Sequence, residues 1–184
     1  MNFRNNHNMR KLTKVWTTFL LFGLSATVFS HASLEQDIAN SGENYRGVLR
    51  ITHGCNGSPT VSVRIRIPDG VTGTKPMPKA GWQLETVEMK LDEHYTSYGT
   101  TVTEDVRELI WKGGLLSDNF FDEFVFRATL PDTDKSMTLY FRTAQECENG
   151  EFLRWIETPG AGENPDDFRE PAPELKLLPV DKNI

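Results

Sequence analysis

Few residues in this chain are equipped for metal or redox chemistry. Among its 184 residues there are two cysteines, Cys55 and Cys147, and four histidines. His53 stands two residues before Cys55, a spacing at which imidazole and thiolate can share a soft metal such as copper or zinc. In an exported chain two cysteines most often pair instead. A Cys55–Cys147 bridge closes a loop of about ninety residues and stabilises by roughly 4 kcal/mol in the chain-entropy picture. An oxidising compartment leaves few free thiols, so the bridge is the expectation and thiolate ligation the alternative.

Export is read from the N-terminus. Arg10, Lys11 and Lys14 precede the apolar run Val15–Leu24, and small residues follow from Ser25. This is the charged, apolar and cleavage-zone order of a secretory signal. The uninterrupted apolar run is shorter than the roughly 20 residues a membrane span needs, and no other segment approaches that length. The cut decides the chemistry. Val28-Phe29-Ser30 offers small residues at both recognition positions and makes His31 the new N-terminus; Ser30-His31-Ala32 does so equally and leaves Ser33. A terminal His31 presents an α-amine, whose pKa near 8 lets a metal displace its proton at neutral pH, beside its own imidazole. Together they form a chelate ring suited to Cu(II), the tightest of the common divalent ions for nitrogen ligands.

Other polar groups carry less. His94, in Asp92-Glu93-His94-Tyr95, reads as a solvated loop residue, and Met77, between two prolines, as a loop residue packing on Trp82. Asp118, Asp122 and Glu123 have the composition of an acid–base pair, but no sugar-binding or nucleophile motif accompanies them. No phosphate loop, Gly-x-Ser-x-Gly elbow or His-Glu-x-x-His is present.

The elements that position these residues read as strands. Val61, Val63, Ile65 and Ile67 alternate with Ser62, Arg64 and Arg66, which buries one face and wets the other. Further strands are expected at 45–52, 83–91, 108–112, 121–129, 137–143 and 152–157, separated by Gly-, Pro- and Asn-rich breakers. No helical period stands out in 31–157. The expected fold is all-β, a single immunoglobulin-like antiparallel β-sandwich, with an up-and-down barrel as the alternative. The expected organisation is a signal at 1–30, the sandwich at 31–158 and a Pro- and acid-rich extension at 159–184 that packs Leu175, Leu177 and Leu178 on the same domain.

Charge narrows the partners. The first thirty residues carry four basic side chains and no acid; residues 31–184 hold 16 basic and 26 acidic residues, a net of −10. Such a domain repels nucleic acid and anionic membrane and favours cations.

Several segments, in order from about 31 to 180, resemble the YcnI-type copper-binding domain family. They are His31-Ala32-Ser33-Leu34-Glu35, His53-Gly54-Cys55-Asn56-Gly57-Ser58-Pro59-Thr60, Ile67-Pro68-Asp69-Gly70-Val71, Lys75–Trp82, Ile110-Trp111-Lys112-Gly113-Gly114, Phe121-Asp122-Glu123-Phe124, Leu139-Tyr140-Phe141, Gln145-Glu146-Cys147 and Arg154-Trp155-Ile156-Glu157. The His-Gly-Cys and Gln-Glu-Cys pair marks a proteobacterial-looking branch. The resemblance implies an extracytoplasmic β-sandwich that binds Cu(II) through a brace made by one N-terminal histidine, which favours the Ser30–His31 cut. It also implies a tryptophan at the site, matched by Trp155, whose expected role is to cover the ion. The family's glutamate falls at Arg46, which cannot ligate copper. Glu35, Asp37 and Glu43 are the nearby acids; Glu35 lies about 13 Å along the strand from His31.

The leading expectation is therefore a periplasmic Cu(II)-binding protein, not an enzyme, with other extracytoplasmic copper carriers or a cuproenzyme as partners. Two alternatives stand beside it. One is a disulfide-clamped envelope interaction module whose metal site has decayed. The other is a copper-dependent oxidative enzyme, for which only His53 and His94 offer a second histidine.

Overall fold

A computed structural model describes residues 31–160, 162–164 and 167–180. The signal expected at 1–30 lies outside the described residues. Twelve strands run in chain order: β1 Ser33–Leu34, β2 Ile38–Asn40, β3 Asn44–Ile51, β4 Thr60–Arg66, β5 Thr72–Pro76, β6 Gln83–Ser97, β7 Thr100–Leu116, β8 Asp122–Thr129, β9 Met137–Tyr140, β10 Thr143–Cys147, β11 Phe152–Trp155 and β12 Glu174–Leu178. They form a four-stranded sheet β1-β3-β8-β5, a five-stranded sheet β11-β10-β4-β7-β6 and a small sheet β2-β12-β9. The fold is an all-β sandwich, and no helix among the described residues is long and apolar enough to cross a membrane.

The alternation on β4 does what its period requires. Val63, Ile65 and Ile67 are buried, while Arg64 and Arg66 face outward to Glu108 of β7 at 2.7 and 3.2 Å. The core between the sheets joins Leu49, Ile51, Leu109, Phe126, Phe141, Leu175 and Leu177. An aromatic row closes one side: Trp82 meets Phe124 edge-on at 5.0 Å and Phe124 meets Trp111 at 5.5 Å. The backbone of Gly114 lies against the Trp82 ring, where an added Cβ would come within 2.1 Å of it, so glycine is required there.

Three departures from the sequence pattern have physical reasons. The strands expected at 83–91 and 108–112 are the roots of one long hairpin of 15 and 17 residues, turned by Tyr98 and Gly99 at φ 48° and 79°. Two successive positive φ values suit the tight turn whose twist matches a hairpin. No residue from 92 to 106 is buried, so the hydrophobic alternation that marks a strand vanishes where the hairpin leaves the sandwich. His94 is accordingly an exposed residue of β6, not of a loop. The single strand expected at 137–143 is two, β9 and β10, because the chain changes sheets at Phe141-Arg142. There Phe141 N–H donates to Pro173 at 2.8 Å and Arg66 N–H to Arg142 at 2.8 Å.

The Pro-rich C-terminal segment contributes a strand. β12 runs antiparallel to β9 and parallel to β2, the one parallel strand pairing among the described residues. Leu175 and Leu177 are fully buried, whereas Leu178 is part-exposed, as its place on the opposite face dictates.

Candidate metal centre

His31 immediately precedes β1, on the open edge of the four-stranded sheet. Ser33 pairs with Arg50 and Leu34 with Leu49, a register that carries His31 toward Thr52. Trp155 ends β11, on the edge of the other sheet, opposite Thr143. The sandwich lays these two edges over each other. The His31 and Trp155 rings meet edge-on, 5.7 Å between centroids and 70° between planes. Residues 124 positions apart in sequence thus share one corner. Trp155 is 5% exposed, and its indole N–H is buried with no hydrogen-bond partner. An unmet buried donor costs about 1–3 kcal/mol and is uncommon enough to require a reason.

Of the acids near the terminus, Glu35 is engaged elsewhere. Glu35 is gripped by Arg50 at 2.7 Å and Arg46 at 3.6 Å, and Arg50 also reaches Glu123 at 3.2 Å. Arg46 does not lie beside His31: it is six residues along β3 from Thr52, roughly 20 Å away. The charge expected to oppose a metal at the corner is remote. Among the described residues no group of three or more His, Cys, Asp or Glu side chains is gathered for a metal ion. Of the residues expected at a metal site, His31 is the nitrogen ligand at this corner, with Trp155 beside it. One imidazole does not make a closed four-ligand cage.

Cys55 and Cys147 are joined, with Cα atoms 5.9 Å apart. No thiolate remains for a metal, which removes the His53–cysteine site. The surrounding motif residues support the bridge. Gln145, 1% exposed, donates its amide to the His53 carbonyl and the Thr60 hydroxyl, both at 2.7 Å. Asp118 accepts from Gly54 N–H at 2.9 Å. Gly54 passes so close to the Ser58 carbonyl that a Cβ would sit 1.9 Å from it. The His-Gly-Cys and Gln-Glu-Cys segments are thus two halves of one structural corner. In the sequence the cysteine pair announced the bridge, and the burial of Gln145 behind it carried no signal.

The remaining candidates resolve similarly. Asp122 binds Lys79 at 2.6 Å, and with Glu123 on Arg50 and Asp118 on Gly54 these carboxylates form no acid–base pair. Met77 leaves its side chain exposed, while its carbonyl accepts from the Trp111 indole at 3.1 Å. His94 sits on β6, four strands from β11 in the same sheet, about 19 Å across. At the core, burial first, then the charges of Asp37 and Glu35, pushes the Tyr45 phenol well above its ordinary range. Its hydroxyl donates to the Gln36 carbonyl at 2.8 Å.

Comparison with known proteins agrees with this architecture. A family model described as "Domain of unknown function (DUF1775)" matches residues 31–177. The chain belongs to the DUF1775 family. The match begins at His31 and ends within β12, so both edges of the corner and most of the C-terminal strand fall inside the DUF1775 domain. DUF1775 is the domain of YcnI-type proteins, the family the sequence segments resemble. The chain is also similar to a solved structure titled "Crystal structure of an uncharacterized protein from Nocardia farcinica reveals an immunoglobulin-like fold". The identity is 19% and the TM-score 0.59, over 80% of this chain and 97% of that one. At that identity the likeness establishes the immunoglobulin-like fold alone. No curated protein matches the chain in sequence.

Proposed function

We propose that this DUF1775 protein is exported, cut between Ser30 and His31, and carries Cu(II) in the periplasm on the amine and imidazole of His31, with Trp155 covering the ion. The observation that carries the reading is the His31–Trp155 contact, which joins the family's expected terminal histidine and tryptophan across two sheets. The unmet indole N–H of Trp155 adds a donor for a water or anion bound beside the metal. The disulfide fits an oxidising compartment.

Copper here is cargo. Two nitrogens from one residue leave the remaining positions for water or for a recipient's ligands, so the ion stays exchangeable. The partners proposed are extracytoplasmic copper carriers or a cuproenzyme awaiting metal, and the protein acts as chaperone, buffer or donor without catalysis. Leu115, Phe120 and Phe121, all at least 65% exposed, favour the second reading of an envelope interaction module.

The two readings separate in a Cu(II) titration of the signal-processed protein, with mass spectrometry fixing its terminus. The copper reading expects a mass beginning at His31, one nitrogen-coordinated Cu(II) per chain and quenched tryptophan fluorescence. His31→Ala removes the first tight equivalent. A mass beginning at Ser33, or copper held no more tightly than by a free His-Ala-Ser peptide, sinks it.

A further inference from the structure

A second site lies away from the His31 corner, at the root of the long hairpin. There a hollow of about 680 Å³ opens between β6, the turn after β4 and the segment after β8. That volume is in the range of small-molecule sites. Arg107 of β7 forms part of its wall and is 7% exposed.

The hydrogen bonding of Arg107 is one-sided. Nη1 donates to the carbonyls of Pro68 and Val71, both at 3.0 Å, and so clamps the β4–β5 turn. Nε and Nη2 make no hydrogen bond among the described residues, and neither is sealed from solvent. Among the described residues no carboxylate lies within ion-pair distance of Arg107, unlike Arg64 and Arg66 on the neighbouring strand, which share Glu108. The carboxylate of Asp105 is committed already, to Val106 N–H at 2.7 Å, Gly73 N–H at 2.8 Å and the Tyr95 hydroxyl at 2.9 Å. A guanidinium nine-tenths buried without a counter-ion is costly, and a planar fork with free donors matches a carboxylate.

The rest of the wall selects which carboxylate. Asp69, Asp92, Glu93 and Asp132 line the same hollow with Arg66 and Lys90. Acids outnumber bases, so a dianion such as phosphate is disfavoured. A ligand that brings its own positive charge satisfies both halves.

We infer that the hollow binds a small zwitterion of amino-acid or peptide-end type, its carboxylate on Arg107 and its ammonium toward the acidic rim at Asp69, Asp92 and Glu93. This site is independent of copper and of the His31 terminus.

The test is a titration of the isotopically labelled, metal-free protein with glycine, triglycine, acetate, methylammonium and inorganic phosphate, read from amide shifts at 69–72 and 90–95 and from the Arg107 Nε–H signal. Glycine or triglycine should saturate, and the tighter of the two tells a free amino acid from a peptide end. Acetate should bind about tenfold more weakly, having lost one charge-assisted contact. Methylammonium and phosphate should not saturate. Arg107→Lys should weaken glycine at least as much. Should that variant disturb the β4–β5 turn, Asp69→Asn provides the second readout: glycine weakens several-fold and acetate does not. Saturation by phosphate, an equal response to glycine and acetate, no saturable shift at all, or unchanged glycine binding in both variants overturns the inference.

Discussion

At the Cys55–Cys147 corner the motif residues satisfy one another, whereas at the His31–Trp155 corner a buried indole N–H is left without a partner. In the first corner one glutamine amide meets a backbone carbonyl and a hydroxyl, an aspartate meets the backbone of Gly54, and the two sulfurs are joined. In the second, two rings meet edge-on across the sheets. Both corners carry family segments, so the presence of a motif does not separate structure from function. Internal satisfaction does. A group whose hydrogen bonds close within the fold is explained by stability. A buried donor left open, beside the residue proposed to become the N-terminus, has its completion outside the chain.

The contrast predicts how each corner responds to damage. Replacing both cysteines by serine should cost most, roughly 4 kcal/mol for a loop of 92 residues, read as a lower urea midpoint. The folded fraction should still bind Cu(II) at His31 with unchanged affinity. A loss of copper binding in folded protein would show the two corners to be one unit. Gln145→Ala comes next, removing the buried hydrogen bonds to the His53 carbonyl and the Thr60 hydroxyl, at about 1–3 kcal/mol.

Trp155→Phe should behave oppositely. It removes the unmet donor while keeping an aromatic against His31, so metal-free stability should change by less than about 1 kcal/mol. The Cu(II)-dependent fluorescence quench should vanish. A loss as large as that of Gln145→Ala would mean that Trp155 belongs to the structural class. The smallest effect is a pH control in the core, far from either contrast. An unfolded tyrosine ionises near 10.0, while folding holds Tyr45 protonated to higher pH. Its contribution is therefore complete below pH 10 and declines as pH rises above it. Tyr45→Phe should flatten that alkaline decline without altering copper binding.

Much of the fold was legible because burial writes itself as alternation. Val63, Ile65 and Ile67 announced β4, and the paired cysteines announced the bridge. The signal failed where strands lack a buried face. Residues 92–106 form a hairpin wet on both sides, and β5, Thr72–Pro76, holds a glycine and a proline at a sheet edge. Neither offers a period to read. The sequence also presented 137–143 as one strand, since a change of sheet at Phe141-Arg142 is a tertiary event. Of the metal corner, residue types were legible and distances were not. His31 and Trp155 came from the family's segments, and their meeting depends on how two sheet edges overlie. The charge of Arg46 was misjudged for the same reason: the register places it far along β3, although no acid is thereby found for the family's glutamate. Arg107 carried no sequence signal, because a buried arginine and a surface arginine are spelled alike.

The central claim rests on the amine of His31 acting with its imidazole, and an N-terminal extension tests it most directly. Two proteins are compared by Cu(II) titration and electron paramagnetic resonance, one beginning at His31 and one with a single glycine before it. The chain beginning at His31 should bind one Cu(II) with a two-nitrogen signature. The extended chain, its fold and disulfide intact, should lose that signature and the first tight equivalent. Equal affinity and the same spectrum in both proteins would contradict the brace and place any bound copper elsewhere.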